Sequence, residues 1–86
     1  MNKNKIKIVF IVNGVEAPVE ANLYEPLRAA RNKALEESKN TGRPVDEWQV
    51  HTEDGVLLDA DKKIVELGLK DEVRLLLSLA VGAGGC

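Results

Sequence analysis

KIKIVFIVNGVEAPVEANL, residues 5–23, holds two apolar alternations back to back around one dipeptide, Asn13-Gly14. Ile6, Ile8, Phe10 and Val12 recur with period two, which places them on one face of an extended strand. Lys5 and Lys7 fall on the other face, and so do Val9 and Ile11, so the outward face turns apolar as the strand proceeds. Asn-Gly between two such runs is a strong hairpin signal, because a type I′ turn requires positive φ at both central residues. The return strand, about Val15 to Ala21, carries Pro18. Proline cannot donate to a ladder, so this strand is expected at a sheet edge.

A hairpin cannot bury its apolar face alone, and the residues that follow supply a partner. Leu23, Leu27, Ala30 and Ala34 fall at helical spacings of four, three and four, with Leu35 and Ser38 widening the stripe. Arg28, Arg31, Lys33, Glu36, Glu37 and Lys39 are assigned to the wet side. Two starts fit: a capping box of Asn22 with Glu25, or Pro26 as the first helical residue. The expected end is near Asn40, with Thr41-Gly42 as the stop and Pro44 beyond it.

Trp48 and Val50 then share one strand parity, Gln49 and His51 the other. A turn containing Glu53-Asp54-Gly55 leads to the short segment Val56–Leu58. Asp61 is read as the cap of a brief helical turn containing Ile64, Val65 and Leu67, stopped by Gly68. In the last strand, Glu72 to Leu79, Val73, Leu75, Leu77 and Leu79 alternate against Arg74, Leu76 and Ser78. The order is hairpin, helix, strand, short strand, helical turn, strand. Its simplest packing sets the last strand beside the first, in parallel, with the helix in the crossover. Residues 1–80 form one domain on this reading. Residues 81–86 form a flexible tail, because Gly82, Gly84 and Gly85 lose more backbone freedom on ordering than other residues.

Composition narrows the function. A chain of 86 residues supports one small core, burying roughly 60% of the surface its unfolded form exposes. A formal charge of −2 lacks the clustered cationic footprint that phosphate binding needs, so nucleic acid is not an expected partner. Lys3, Lys5 and Lys7 read as a solvated strand edge. One His and one Cys, far apart, predict neither an internal disulfide nor a metal site. Runs such as IVFIV fall far short of the ~20 apolar residues that span a bilayer, so no membrane partner is expected. IVFIV is also shorter than the ~7–15 residues of a signal-peptide core, and the expected location is the cytoplasm. No paired carboxylates, nucleophile–base set, phosphate loop or dinucleotide fingerprint appears, so neither catalytic residues nor a cofactor is expected, and the chain does not read as an enzyme.

The stretch LLDADKKIVELGLKDEVRLLLSLAVGAGG, residues 57–85, resembles the end of ubiquitin. A Leu58-Asp59 step precedes the helical turn Ile64–Leu67. The polar reversal Lys70-Asp71-Glu72, an apolar strand and Gly84-Gly85 complete it. From about Lys5 to Gly85 the chain resembles the ubiquitin-like β-grasp proteins. The fold this implies is α+β, with one mixed β-sheet wrapped around a single main helix and a flexible C-terminal tail.

The resemblance implies a chemistry carried by the tail. In that family an activating enzyme adenylates the final glycine carboxylate with ATP and Mg²⁺. The glycyl group passes to an enzyme cysteine and then to an amine of a target protein. Two glycines without Cβ atoms can thread channels that are closed to other residues. Cys86 departs from this pattern, since it locks the Gly85 carbonyl in a peptide bond. The resemblance therefore implies a precursor whose mature end is Gly85, with Cys86 removed by a peptidase. Ala and Val stand where ubiquitin has arginines. That is closer to bacterial ubiquitin-like proteins accompanied by their own activating-like and conjugating-like enzymes and a JAMM-type zinc peptidase. Lys33, Lys39, Lys62, Lys63 and Lys70 are candidate acceptors for a second copy.

Val9, Ile11 and Leu76 should lie on the sheet face opposite the helix, because Phe10, Leu75 and Leu77 point inward. In ubiquitin-like proteins that face near the tail is the recognition surface, and His51 is placed at its rim. Cys86 has no histidine or helix N-terminus positioned to lower its pKa, which argues against a catalytic thiol. Two other classes share the fold: sulfur carriers whose Gly-Gly end becomes a thiocarboxylate, and non-covalent ubiquitin-like adaptors. Carriers usually end at Gly-Gly itself, and Cys86 favours the modifier.

Overall fold

The computed structural model describes residues 4–80. The hairpin forms as its sequence demands. Strands β1 (Lys5–Val12) and β2 (Val15–Asn22) pair antiparallel, from Val12 opposite Val15 to Lys5 opposite Asn22. Between them Asn13 and Gly14 have φ of 53° and 81°, the doubly positive pair a type I′ turn needs. Helix α1 (Leu27–Glu37) is followed by a 3₁₀ turn, Val45–Glu47, and by β3 (Trp48–Thr52) and β4 (Leu57–Leu58). A second 3₁₀ turn, Ile64–Leu67, precedes β5 (Val73–Leu79).

The sheet has five strands in the order β2-β1-β5-β3-β4. β5 lies parallel to β1, with Ile8 opposite Val73 and Val12 opposite Leu77. β3 runs antiparallel to both β5 and β4. This is one mixed sheet with one α-helix across its inner face among the described residues, the α+β grasp arrangement. Pro18 is exposed on β2, which is the edge strand its proline predicts.

Strand parity places the core where the alternation puts it. Ile8, Phe10 and Val12 meet Leu27, Ala30, Ala34 and Leu35 of α1, with Val50, Leu75 and Leu77 from the other side. β2 contributes only Ala17, Val19 and Ala21 to that layer. Ile64 is fully buried at one end of the core, and Trp48 is buried from β3.

Several local expectations are corrected. Leu23 lies outside the helix, half-buried against the core. Pro26 is the N-cap residue rather than the first helical residue, and it makes no side-chain cap. Asn22 and Glu25 close the turn ahead of the helix instead: Tyr24 N–H donates to Asn22 Oδ1 at 2.8 Å, and Asn22 N–H to Glu25 Oε1 at 3.3 Å. The helix ends at Glu37, short of Asn40. Lys39 takes a left-handed φ of 63°, and its N–H donates to Glu36 O at 3.1 Å. Asn40 N–H donates to Leu35 O at 2.8 Å, which completes a Schellman motif built on lysine instead of glycine.

Asp61 does not cap the second 3₁₀ turn. Glu66 Oε1 accepts Lys63 N–H there at 3.1 Å, and Gly68 ends the turn at a φ of 68° as expected. Arg31, assigned to the wet side, is buried with 4% of its surface exposed. Residues 27, 31 and 35 form one i, i+4 row, so position 31 belongs to the covered face whatever its charge. The 81–86 tail lies outside the described residues.

Leu75 is fully buried between β1 and β3. Leu75→Ala is expected to cost about 2–5 kcal/mol, as truncation of a buried leucine does. Chemical denaturation monitored by circular dichroism measures it. A loss below ~1 kcal/mol would contradict the strand parity.

Candidate recognition face

The outer face of the sheet is assembled by register. Ile11 on β1 lies opposite Glu16 of β2 on one side and Leu76 of β5 on the other. Leu76 lies opposite His51 of β3, and His51 opposite Leu57 of β4. One row therefore crosses the whole sheet: Glu16, Ile11, Leu76, His51, Leu57. Val9 sits one row away, between Pro18 and Arg74. Val9, Ile11, His51 and Leu76 are each half-buried, shaded by their neighbours in the sheet rather than covered by the helix.

Two points differ from the sequence expectation. His51 stands inside the row, between two leucines, and not at its rim. Leu57 extends the row and is 57% exposed, yet nothing in the pattern marks it. A two-residue strand is too short to show an alternation.

Charges border the row. Arg74 Nη1 donates to Glu16 Oε2 at 2.9 Å, and its Nε lies 3.4 Å from Glu53 Oε2. The hydrogen bond and charge of Glu16 hold the Arg74 pKa above its ordinary value; desolvation opposes this, and Glu53 adds to it. Lys5 pairs loosely with Glu20, at 3.9 Å, towards the far end of the face. Exposed pairs of this kind are screened by solvent and add little to stability, so they serve mainly to frame the apolar row.

The end of β5 lies beside the hairpin turn and the start of β3. β5 brings Leu77 beside Val12, next to the hairpin turn, and Leu79 beside Trp48. Among the described residues the last such bond is from Ala80 N–H, which donates to Glu47 O at 2.7 Å. Arg31 holds the segment that carries this carbonyl. Its Nη1 donates to Trp48 O at 3.2 Å, its Nη2 to Asp46 Oδ1 at 3.4 Å and its Nε to Asn32 Oδ1 at 3.0 Å. A buried guanidinium thus fixes the base from which the tail departs. Gly84, Gly85 and Cys86 lie outside the described residues. Among the described residues no three His, Cys, Asp or Glu side chains are grouped to hold a metal ion, and no helix is long and apolar enough to cross a membrane.

Residues 1–85 match the DUF2604 family, described as a protein of unknown function. An uncharacterized protein of Sinorhizobium fredii, y4jI, is 46% identical over 81 residues. That alignment covers 94% of this chain and 62% of the relative, so the chain spans less than two thirds of the relative's length. Among solved structures, a de novo design based on ubiquitin aligns with a TM-score of 0.78 and 17% identity, covering 99% of this chain and all of the design. The ubiquitin of Caldiarchaeum subterraneum aligns with a TM-score of 0.72 and 20% identity, over 93% of this chain and 99% of its own. At such identities the likeness is one of fold, and the fold is ubiquitin-like.

Adjacent leucines offer a direct check of the two faces. Leu75→Asp is expected to unfold the domain, because it buries an unpaired carboxylate. Leu76→Asp is expected to leave a folded domain, at a cost of about 1 kcal/mol on an outward sheet position. Thermal melts of the two variants decide it, and equal loss of structure in both would contradict the outward placement of Leu76.

Proposed function

This chain belongs to the DUF2604 family, and we propose that it is a ubiquitin-like protein modifier made as a precursor. The observation that carries the reading is the pairing of a ubiquitin-like sheet with Gly84-Gly85 shortly after the last described residue, Ala80. Fully extended, residues 80–85 reach roughly 20 Å, enough to carry the Gly85 carbonyl clear of the globule and into a partner's channel. The row Ile11, Leu76, His51, Leu57 stands at the end of the sheet from which that tail departs. It offers partner enzymes a surface that they could grip while the carbonyl reacts.

On this reading a peptidase, of the JAMM zinc type, first hydrolyses the bond between Gly85 and Cys86. An activating-like enzyme then binds ATP and Mg²⁺, and a Gly85 carboxylate oxygen attacks the α-phosphorus, expelling pyrophosphate. An enzyme cysteine thiolate displaces AMP to form a thioester, which passes to a conjugating-like enzyme. A lysine amine of a target protein attacks that thioester, loses a proton and releases the thiolate, leaving an isopeptide bond. The modifier supplies no catalytic group and holds no cofactor of its own. Its work is to present one carbonyl and one face. A cytoplasm, where ATP and reduced thiols are available, suits this chemistry, and on this reading it is a bacterial one.

Intact-mass spectrometry after incubation with the cognate peptidase, and then with the activating and conjugating enzymes, tests the proposal. The expected sequence is loss of the residues from Cys86 onward, then an adduct between Gly85 and a lysine amine. The unprocessed chain should form no adenylate. Leu76→Asp, folded, should weaken enzyme binding. A protein that keeps Cys86 in cells, with no adduct through Gly85, would overturn the modifier reading. A Gly85 thiocarboxylate would instead establish a sulfur carrier.

A further inference from the structure

Edge strands of a small sheet are open templates for pairing with another chain. The hydrogen-bond phase of β2 shows which of its backbone groups face outward. Lys7 directs both groups to the β5 side: its N–H donates to Asp71 Oδ1 at 2.8 Å, and its carbonyl accepts Glu72 N–H at 2.7 Å. Lys7 and Glu20 are therefore opposite each other without exchanging bonds, and the groups of Glu20 point away from the sheet. Alternation gives Glu16, Pro18 and Asn22 the same outward sense. The bond from Leu23 N–H to Asn4 O, at 2.7 Å, has the phase this requires.

Each outward position from 18 to 22 is closed in a different way. Pro18 has no N–H to offer. The carbonyl of Glu20 accepts the Lys33 ammonium, which reaches across from α1, at 3.2 Å. At Asn22 the N–H donates to Glu25 Oε1 at 3.3 Å, and the carbonyl accepts Glu25 N–H at 3.0 Å. No residue in this stretch keeps both a free donor and a free acceptor. On the other flank, the groups of β3 that β4 does not cover are paired. Trp48 N–H donates to Val45 O and its carbonyl accepts Arg31, while Thr52 N–H donates to Val56 O at 2.9 Å.

We infer that Pro18, Lys33 and Glu25 close the β2 edge against strand addition. Along residues 18–22, β2 does not pair edge to edge with a second copy and does not take up extended peptides by main-chain bonding. Partners are thereby directed to side-chain recognition on the outer face. The inference concerns the free globule and stands whether or not Gly85 is conjugated.

The double variant Pro18→Thr with Lys33→Met restores one donor and frees one acceptor on the edge while keeping the lysine's apolar stem. Sedimentation equilibrium of the full chain is expected to show a monomer for the parent. The folded double variant should self-associate at least about tenfold more tightly, since each strand regains main-chain bonds. Hydrogen exchange should show the Glu20 amide becoming protected as the variant associates. Lys33→Met alone, on the exposed side of the helix, should shift association in the same direction and carries the test if the double variant does not fold. A parent protein that already dimerises with Glu20 protected would overturn the inference. So would folded variants that remain as monomeric as the parent.

Discussion

The first turn of the helix has no side chain to satisfy it, and the structure depends on how that deficit is met. Leu27 N–H donates to Lys62 O at 2.9 Å and Arg28 N–H to Ala60 O at 2.8 Å. In return Ile64 N–H donates to Glu25 O at 2.9 Å and Val65 N–H to Leu23 O at 2.8 Å. Each such bond adds only about 0.5–1.5 kcal/mol net, but leaving one of these groups buried and unpaired costs about 1–3 kcal/mol. The exchange also seats Ile64 at the end of the core, where it is fully buried. The crossover from β4 to β5 is stapled beneath the helix. That staple sets where β5 can begin. From that start, the bonds of Lys7 with Asp71 and Glu72 bring β5 into register with β1.

That register builds the outer face of the sheet. With Leu76 opposite both Ile11 and His51, an apolar row forms on the face the helix does not cover. With Leu77 opposite Val12, β5 ends beside the hairpin turn. A slip of one residue would turn Leu76 inward and Leu75 outward, exchanging core for surface along the whole strand. The outer apolar row and the position of Ala80 are thus consequences of one alignment, and Arg31 secures its far end through Trp48.

What was legible in the sequence was whatever has a short period. The alternation of β1 and β5 gave their inner and outer faces correctly, and with them Val9, Ile11 and Leu76. The Asn13-Gly14 turn and the edge position of Pro18 were equally plain, because each rests on one residue's own backbone chemistry. The helix cap was not legible, since its acceptors are carbonyls more than thirty residues away that carry no side-chain signature. Arg31 was hidden by its charge although the 27, 31, 35 spacing marked it. Leu57 and the place of His51 inside the row needed the pairing of β3 with β4, which two residues cannot announce. Gly84, Gly85 and Cys86 take their proposed role only from resemblance to a family, and they lie outside the described residues.

Native-state hydrogen exchange at the Leu27 and Arg28 amides tests the central claim most directly. First-turn helical amides ordinarily fray and exchange through small local openings. If the backbone staple from Ala60 and Lys62 holds the fold together, these two amides will exchange only with global unfolding, as slowly as those of Phe10 and Leu75. Exchange through local fraying, orders of magnitude faster than the core strands, would show that the helix end and the crossover are not coupled as described.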